Sequence, residues 1–123
     1  MTTDQPASRV GLLISPDLFF TSKVTGTAQA LGLRVDSVDD IATAISRLQA
    51  GDIGCILLDL AAPRVSVSDL IAAMLDSARV PIIAFGSHVN VELLESARAA
   101  GAEVMPRSQF SATLPEILRT HLM

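Results

Sequence analysis

Aromatic residues are scarce in this sequence: 123 residues include four phenylalanines, no tryptophan and no tyrosine. A core must therefore be built from aliphatic side chains packed between layers of secondary structure. Half of the residues are apolar, which is enough to bury such a core and too many for a disordered chain. The length suits one domain, and we expect a polar, disordered leader over residues 1–8 and a single domain over 9–123, with no attached output domain.

Cysteine and basic residues are also scarce. Cys55 is the single cysteine, so no disulfide can form within the chain, and its place in the apolar run 53–60 predicts a small buried hydrophobe. The net charge of −4 argues against binding to nucleic-acid phosphates, which requires clustered basic residues. We see neither a secretion signal nor an apolar stretch long enough to cross a membrane, and we therefore expect a cytoplasmic protein with no membrane contact.

Short apolar runs alternate with amphipathic stretches along the rest of the chain. The runs predict five strands, which are Val10–Ile14, Leu33–Val38, Ile53–Leu60, Val80–Phe85 and Ala102–Met105. Three of these runs are apolar on both faces, as are strands of a parallel sheet that helices cover on both sides.

Apolar residues at steps of three and four predict a helix after each strand. The predicted helices are Phe20–Leu31, Ile41–Leu48, a third from Ser66 or Ser68 to Met74, Asn90–Ala100 and Leu114–Leu122. The fourth has Val91, Leu94 and Ala97 on its inward face. The fifth opens on Thr113 and Glu116 at the spacing of a capping box.

Five strands alternating with five helices in about 115 residues leave only short loops. Right-handed crossovers then give a parallel five-stranded sheet with helices on both faces. We predict an α/β protein of the flavodoxin-like (βα)5 type, with strand order 2-1-3-4-5.

Two carboxylates are predicted to meet at one edge of this sheet. Ligands of open α/β sheets bind beyond the carboxyl ends of the strands where the strand order reverses, here between the first and third strands. Asp17 follows the first strand and Asp59 lies at the end of the third. A carboxylate that ends an apolar strand is costly to bury unless something pairs with it. A purely structural role is the alternative, with Asp59 capping the next turn and Asp17 opening the first helix.

The segment Ile56-Leu57-Leu58-Asp59-Leu60-Ala61-Ala62-Pro63 resembles the phosphoacceptor strand of response-regulator receiver domains, including the proline four residues after the aspartate. The order and lengths of the elements from Arg9 to Leu122 are similar as well. This resemblance implies that Asp59 accepts a phosphoryl group from a histidine kinase. It also implies a Mg²⁺ ion beside Asp59, with Asp17 and Asp59 as candidate ligands.

Several positions depart from the receiver pattern. Pro16 stands where the family has a second acid, Gly86 where it has a hydroxyl, Glu103 where it has an aromatic residue and Pro106 where it has a lysine. Ser87 and Arg107 are the next residues along, and we take them as candidate phosphate contacts, although a guanidinium does not simply replace an ammonium group. The loss of an acid predicts that Mg²⁺ binds weakly.

Three functions fit these observations. We favour a stand-alone pseudo-receiver that signals by binding other proteins and is not an enzyme. The second is an active receiver that is phosphorylated on Asp59 with Mg²⁺ in a two-component phosphorelay. The third is a flavodoxin-like small-molecule-binding protein, suggested by Thr25-Gly26-Thr27, although these residues fall in the middle of the first predicted helix, too far from the first strand for a flavin phosphate loop.

Protein partners are expected in either receiver hypothesis. They would be a histidine kinase or phosphotransfer protein, a separate output protein, or a second copy of the chain bound through the fourth and fifth units. We expect polar residues of those units to surround apolar Val89 and Phe110; the polar residues are His88, Arg98, Glu103, Arg107 and Arg119.

Overall fold

The computed structural model describes residues 9–62, 65–74 and 79–123. Strands and helices alternate throughout, in the order β1 (Val10–Ile14), α1 (Leu18–Ala30), β2 (Arg34–Val38), α2 (Ile41–Ala50), β3 (Ile53–Asp59), α3 (Val67–Ala73), β4 (Ile82–Gly86), α4 (Val91–Ala99), β5 (Glu103–Pro106) and α5 (Arg107–Leu122). The predicted leader over 1–8 and the predicted motif residue Pro63 lie outside the described residues.

All five strands are parallel and follow the order β2-β1-β3-β4-β5, which confirms the predicted flavodoxin-like fold. β1 and β3 are neighbours, and Ile14 pairs with Leu58 at their carboxyl ends. The register places the residues after Ile14 beside the last residue of β3. Position alone therefore brings the loop after β1 to Asp59.

The core lies on both faces of the sheet. Every residue of β1, β3 and β4 is buried, as the continuous apolar runs predict. One face packs against buried residues of α2, α3 and α4, and the other against those of α1 and α5. Cys55 is fully buried in the second layer, as expected, and desolvation raises the pKa of its thiol to about 12.

Side chains cap four of the five described helices at their N-termini. Asp17, Asp40, Ser66 and Asn90 each accept a hydrogen bond from the backbone N–H three residues later. Gly51 ends α2 with φ of +88°, a left-handed conformation that residues with a Cβ rarely adopt. None of the described helices combines the length and the apolar character needed to cross a membrane.

The fifth helix begins seven residues earlier than predicted, at Arg107 and not at Leu114. Thr113 does not cap it; its hydroxyl donates to the Gln109 carbonyl one turn earlier. The helix starts early because Phe110 and Leu114 lie one turn apart and are both buried against the sheet. This burial outweighs the cost of Pro115 inside the helix, where the Ser111 carbonyl loses its usual donor.

Two predicted residue environments are also wrong. Val91, expected on the inward face of α4, is the first residue of that helix and is 61% exposed, whereas Ala97 is buried. Phe110, expected on a partner surface, is fully buried and stacks against Phe85 with ring centroids 4.1 Å apart. Of that predicted apolar pair, only Val89 is exposed.

Candidate functional site

Asp59 is the only polar or charged residue among the buried residues that the structure describes, and its exposure is 0%. It occupies the last position of β3, beside Phe85 of β4. A carboxylate in such a place requires hydrogen bonds to offset the loss of water.

Four contacts satisfy the Asp59 carboxylate. Oδ1 accepts from the Ala61 backbone N–H at 2.9 Å and from Arg107 Nη2 at 3.1 Å. Oδ2 accepts from the Ser15 hydroxyl at 2.7 Å and from the same Nη2 at 3.0 Å. Three donor groups therefore engage both oxygens, with Arg107 Nη2 shared between them.

Arg107 reaches Asp59 from the first residue of α5. Its guanidinium carbon lies 4.9 Å from the centroid of the Phe20 ring and 5.6 Å from that of Phe85, close enough for cation–π attraction. The side chain is 34% exposed, so the guanidinium lies between the buried carboxylate and solvent. A planar guanidinium suits this position because it can stack on rings and donate at its edge.

Asp17 lies near Asp59 but serves mainly the helix that follows it. Its Oδ1 accepts from the Phe20 N–H at 3.1 Å and so caps α1. Its Oδ2 is 3.6 Å from Arg107 Nη1, an ion-pair distance beyond hydrogen-bond length. The structure thus brings both predicted carboxylates to one guanidinium.

Ser15 is a site residue that the sequence analysis missed. Its hydroxyl donates to Asp59 and also accepts from the Asp17 N–H at 3.2 Å. The strand register could have predicted this contact. Ile14 of β1 pairs with Leu58 of β3, so the next residues, Ser15 and Asp59, lie side by side. Lys23, on α1 and hydrogen-bonded to Ser111 of α5, was likewise overlooked.

Ser87 stands in the loop after β4, where it is exposed and its Oγ accepts from the Val89 N–H at 3.4 Å. It lines a groove together with Arg107, and its hydrogen bond with Val89 is local to the loop. Gly86 is buried, and a Cβ there would lie 3.4 Å from the Leu60 Cβ, an ordinary contact. The glycine is therefore not required by crowding.

A Mg²⁺ ion would need carboxylate oxygens with free lone pairs and room for its waters. Both Asp59 oxygens are taken by N–H and O–H donors, and one Asp17 oxygen caps a helix. Within residues 9–62, 65–74 and 79–123, no three His, Cys, Asp or Glu side chains are grouped to hold a metal. The residues fit a guanidinium in this arrangement and do not fit Mg²⁺.

No protein-family model matches the sequence, and no curated protein matches it as a relative. Solved structures do match in fold. A response regulator from Hahella chejuensis has a TM-score of 0.78 at 19% identity, covering 94% of this chain and 96% of that one. The receiver domain of a sensor histidine kinase from Pseudomonas aeruginosa, solved with a magnesium ion coordinated in its active-site cleft, has a TM-score of 0.75 at 23% identity, covering 94% and 98%.

A chemotaxis response regulator of Vibrio cholerae has a TM-score of 0.74 at 20% identity, covering 94% of this chain and all of that one. The chain has the fold of a response-regulator receiver domain. Structural similarity at identities this low establishes the fold alone. What the site can do follows from the residues of this chain. In this receiver fold Asp59 ends β3 as the resemblance implies, with Arg107 as its charged partner. Thr25, Gly26 and Thr27 lie inside α1, as expected, and form no loop after β1.

Proposed function

We propose that this receiver-fold protein is a pseudo-receiver, a non-enzymatic signalling module that works in the cytoplasm by binding other proteins. The observation that carries the proposal is the engagement of both Asp59 oxygens by three protein donors, from Ser15, Ala61 and Arg107. A phosphoacceptor must present an oxygen lone pair to the phosphorus atom. Here that oxygen would first have to release a protein donor.

The charge at the site supports the same conclusion. Arg107 supplies one positive charge at about 3 Å from a carboxylate that is fully buried, so the attraction is stronger than it would be in bulk water. A divalent ion would have to displace this guanidinium and then rely on Asp17 as the nearest second carboxylate. Constitutive pairing with Arg107 therefore competes with metal binding and with phosphoryl transfer.

Exposed apolar side chains on two sides of this edge favour a role in protein contacts. Leu18 and Phe19 at the start of α1 are 81% and 91% exposed. Val89 and Val91, around the start of α4, are also exposed. Large apolar groups at a surface contribute most to association when a partner buries them.

Within this proposal the partner is a signalling protein, either a histidine kinase or phosphotransfer protein, an output protein, or a second copy of the chain bound through units four and five. The dimer is the simplest case to test. Molar mass measured by light scattering over a range of concentrations should rise for the wild type and stay at the monomer value for Val89→Ser. Phe19→Ser is the control, since it removes an exposed apolar group on α1, outside the fourth and fifth units, and should leave this dimer intact.

The second candidate is an active receiver that is phosphorylated on Asp59. It is favoured by the position of Asp59 at the end of β3, by the nearby Asp17, and by Arg107 and Ser87 as phosphate contacts. In that case Arg107 would swing from the carboxylate to the phosphoryl oxygens.

Treatment with acetyl phosphate and Mg²⁺, followed by intact-mass measurement, separates the two candidates. For the pseudo-receiver we expect no phosphoryl adduct on the wild type, with an authentic receiver domain treated in parallel as the positive control. An adduct that forms on the wild type and is lost in Asp59→Asn would establish the active receiver. An adduct that persists in Asp59→Asn would lie on another residue and leave the proposal intact.

A further inference from the structure

A groove of about 500 Å³ lies beside Arg107, between α1, the loop after β4 and the first turns of α5. Its polar lining consists of three basic side chains and three hydroxyls, from Lys23, His88, Arg107, Ser87, Ser108 and Ser111. None of the described residues that line it is acidic. Its volume lies in the range of small-molecule sites.

The charge of this groove is opposite to that of the chain. The net charge of the sequence is −4, and Lys23 is its only lysine. Lys23 lies on α1 and donates a hydrogen bond to the Ser111 hydroxyl on α5, so the ammonium group lies at the junction of the two helices. With Arg107 it places two cationic side chains in one groove, which attracts anions. Arg107 is already paired with Asp59 and lies 3.6 Å from Asp17, so a bound anion must compete with these two carboxylates for it.

The remaining lining is suited to an anion that carries an apolar group. Phe20 and Pro106 contribute apolar surface beside the basic side chains. Arg107 begins α5, which has no side-chain cap, so backbone N–H groups of its first turn add donors to those of the side chains. The side chains supply the charge, and the helix end adds to it.

We propose that this groove binds a small phosphate monoester whose organic part is apolar or cyclic. Lys23 and Arg107 would pair with the phosphate oxygens, the serine hydroxyls would donate to them, and the organic part would lie against Phe20 and Pro106. The volume exceeds what a bare phosphate ion fills, which favours an ester over the inorganic ion. The proposal is independent of whether Asp59 accepts a phosphoryl group.

Binding in the groove and the pairing of Asp59 are expected to be coupled, because both use Arg107. Asp59 holds its Nη2 group, while the same side chain lines the groove. An anion that draws Arg107 outward must compete with the buried carboxylate. Removing the charge of Asp59 should therefore strengthen anion binding, since the two interactions are linked through one guanidinium.

Titration with phenyl phosphate, monitored through backbone amide shifts by NMR, tests the proposal. We expect saturable shifts in residues 87–88 and 107–111, with a Kd of about 1 mM or tighter. Phenol and inorganic phosphate, which carry only one half of the ligand each, should bind about tenfold more weakly. Shifts spread over the whole surface, or no saturation, would overturn it.

Variants assign the effect to named residues. Lys23→Met should weaken phenyl phosphate about tenfold, Lys23→Arg should restore most of the affinity, and Asp59→Asn should tighten it several-fold. Arg119→Met, which removes an exposed charge from α5 outside the groove, is the matched control and should change nothing. Equal losses in Lys23→Met and Arg119→Met would indicate general charge attraction and overturn the site.

A phosphoserine peptide that binds about tenfold more tightly than phenyl phosphate would overturn the small-molecule assignment in favour of a protein segment.

Discussion

Arg107 Nη2 lies 3.0 Å from one carboxylate oxygen of Asp59 and 3.1 Å from the other, so a single nitrogen spans a fully buried carboxylate. Arg107→Met should therefore destabilise the protein by about 2–4 kcal/mol, because it leaves a buried charge without its ionic partner. Urea unfolding followed by circular dichroism measures this difference. Arg98→Met, which breaks only a surface pair with Glu95, is the control and should have little effect.

A double-mutant cycle sharpens this prediction. Once Arg107 is methionine, Asp59→Asn should cost much less stability than it does in the wild type, or should even recover some, because the unpaired charge is gone. Equal effects of Asp59→Asn in both backgrounds would show that the two groups do not interact.

Metal binding should appear when the guanidinium is removed and an acid is added. Arg107→Gln combined with Pro16→Asp frees lone pairs of Asp59 and provides a second carboxylate near Asp17. Mn²⁺ titration should then broaden the NMR signals of residues around Asp59 selectively. The wild type and Pro16→Asp alone serve as controls. Strong selective broadening in the wild type would show that Arg107 does not block the metal.

Cys55 should be inert in the native protein. Its side chain is fully buried, and desolvation raises the pKa of the thiol to about 12, so almost no thiolate is present at neutral pH. Labelling by a thiol-exchange reagent should proceed only through unfolding and should accelerate with urea in step with the unfolded fraction. Rapid labelling without denaturant would contradict the burial of Cys55.

Two glycines should respond to alanine in opposite ways. A Cβ at Gly54 would lie 2.6 Å from the His121 carbonyl oxygen, so Gly54→Ala should destabilise the protein by several kcal/mol, at about the upper end for overpacking. A Cβ at Gly26, inside α1, meets nothing within 4 Å, and Gly26→Ala should stabilise the protein by about 0.5–1 kcal/mol. Thermal unfolding of both variants measures the contrast. The prediction fails if they shift the melting temperature alike.

Asp36 should stabilise the protein at pH values above those at which its carboxyl group titrates. The hydrogen bond from Arg34 lowers its pKa, Arg47 adds to this, and burial opposes both. A carboxyl with a lowered folded-state pKa stabilises the native protein at pH values above its unfolded pKa, and that contribution disappears as the pH falls through the folded value. Unfolding free energies measured from about pH 6 to about pH 2 should therefore fall less steeply in Asp36→Asn than in the wild type. The effect should shrink in high salt because the pair is partly exposed.

The sheet could be predicted from the sequence to within two residues at each strand end, because strands buried on both faces leave continuous apolar runs. Val10–Ile14 matches β1, and the predicted Ile53–Leu60 exceeds β3 by one residue. The convergence of Asp17 and Asp59 also followed from topology, since parallel strands end at one edge. The apolar runs thus predict the fold, and the fold in turn predicts where the two carboxylates meet.

The pairing at the site was harder to predict because it depends on a side chain 48 positions away. Arg107 stood one residue beyond the position where the receiver pattern has lysine, and it was expected to contact a phosphate. In the structure α5 starts at Arg107, whose guanidinium pairs with Asp59 itself. That start depends on the burial of Phe110, a tertiary effect that outweighs the local helix-start signal at Thr113 and Pro115. Ser15 required only the strand register.

The absence of a side chain at Gly54 leaves room for the first and last described segments to pack against the start of β3. The point that its Cβ would occupy is next to Arg9 and Leu122, so the two ends of the folded unit come together over the start of β3. A domain whose ends adjoin can be circularly permuted with a short linker, or inserted into a loop of another protein, without stretching its host. The edge of the sheet that carries Asp59 and Arg107 lies at the opposite end of β3 and would remain free.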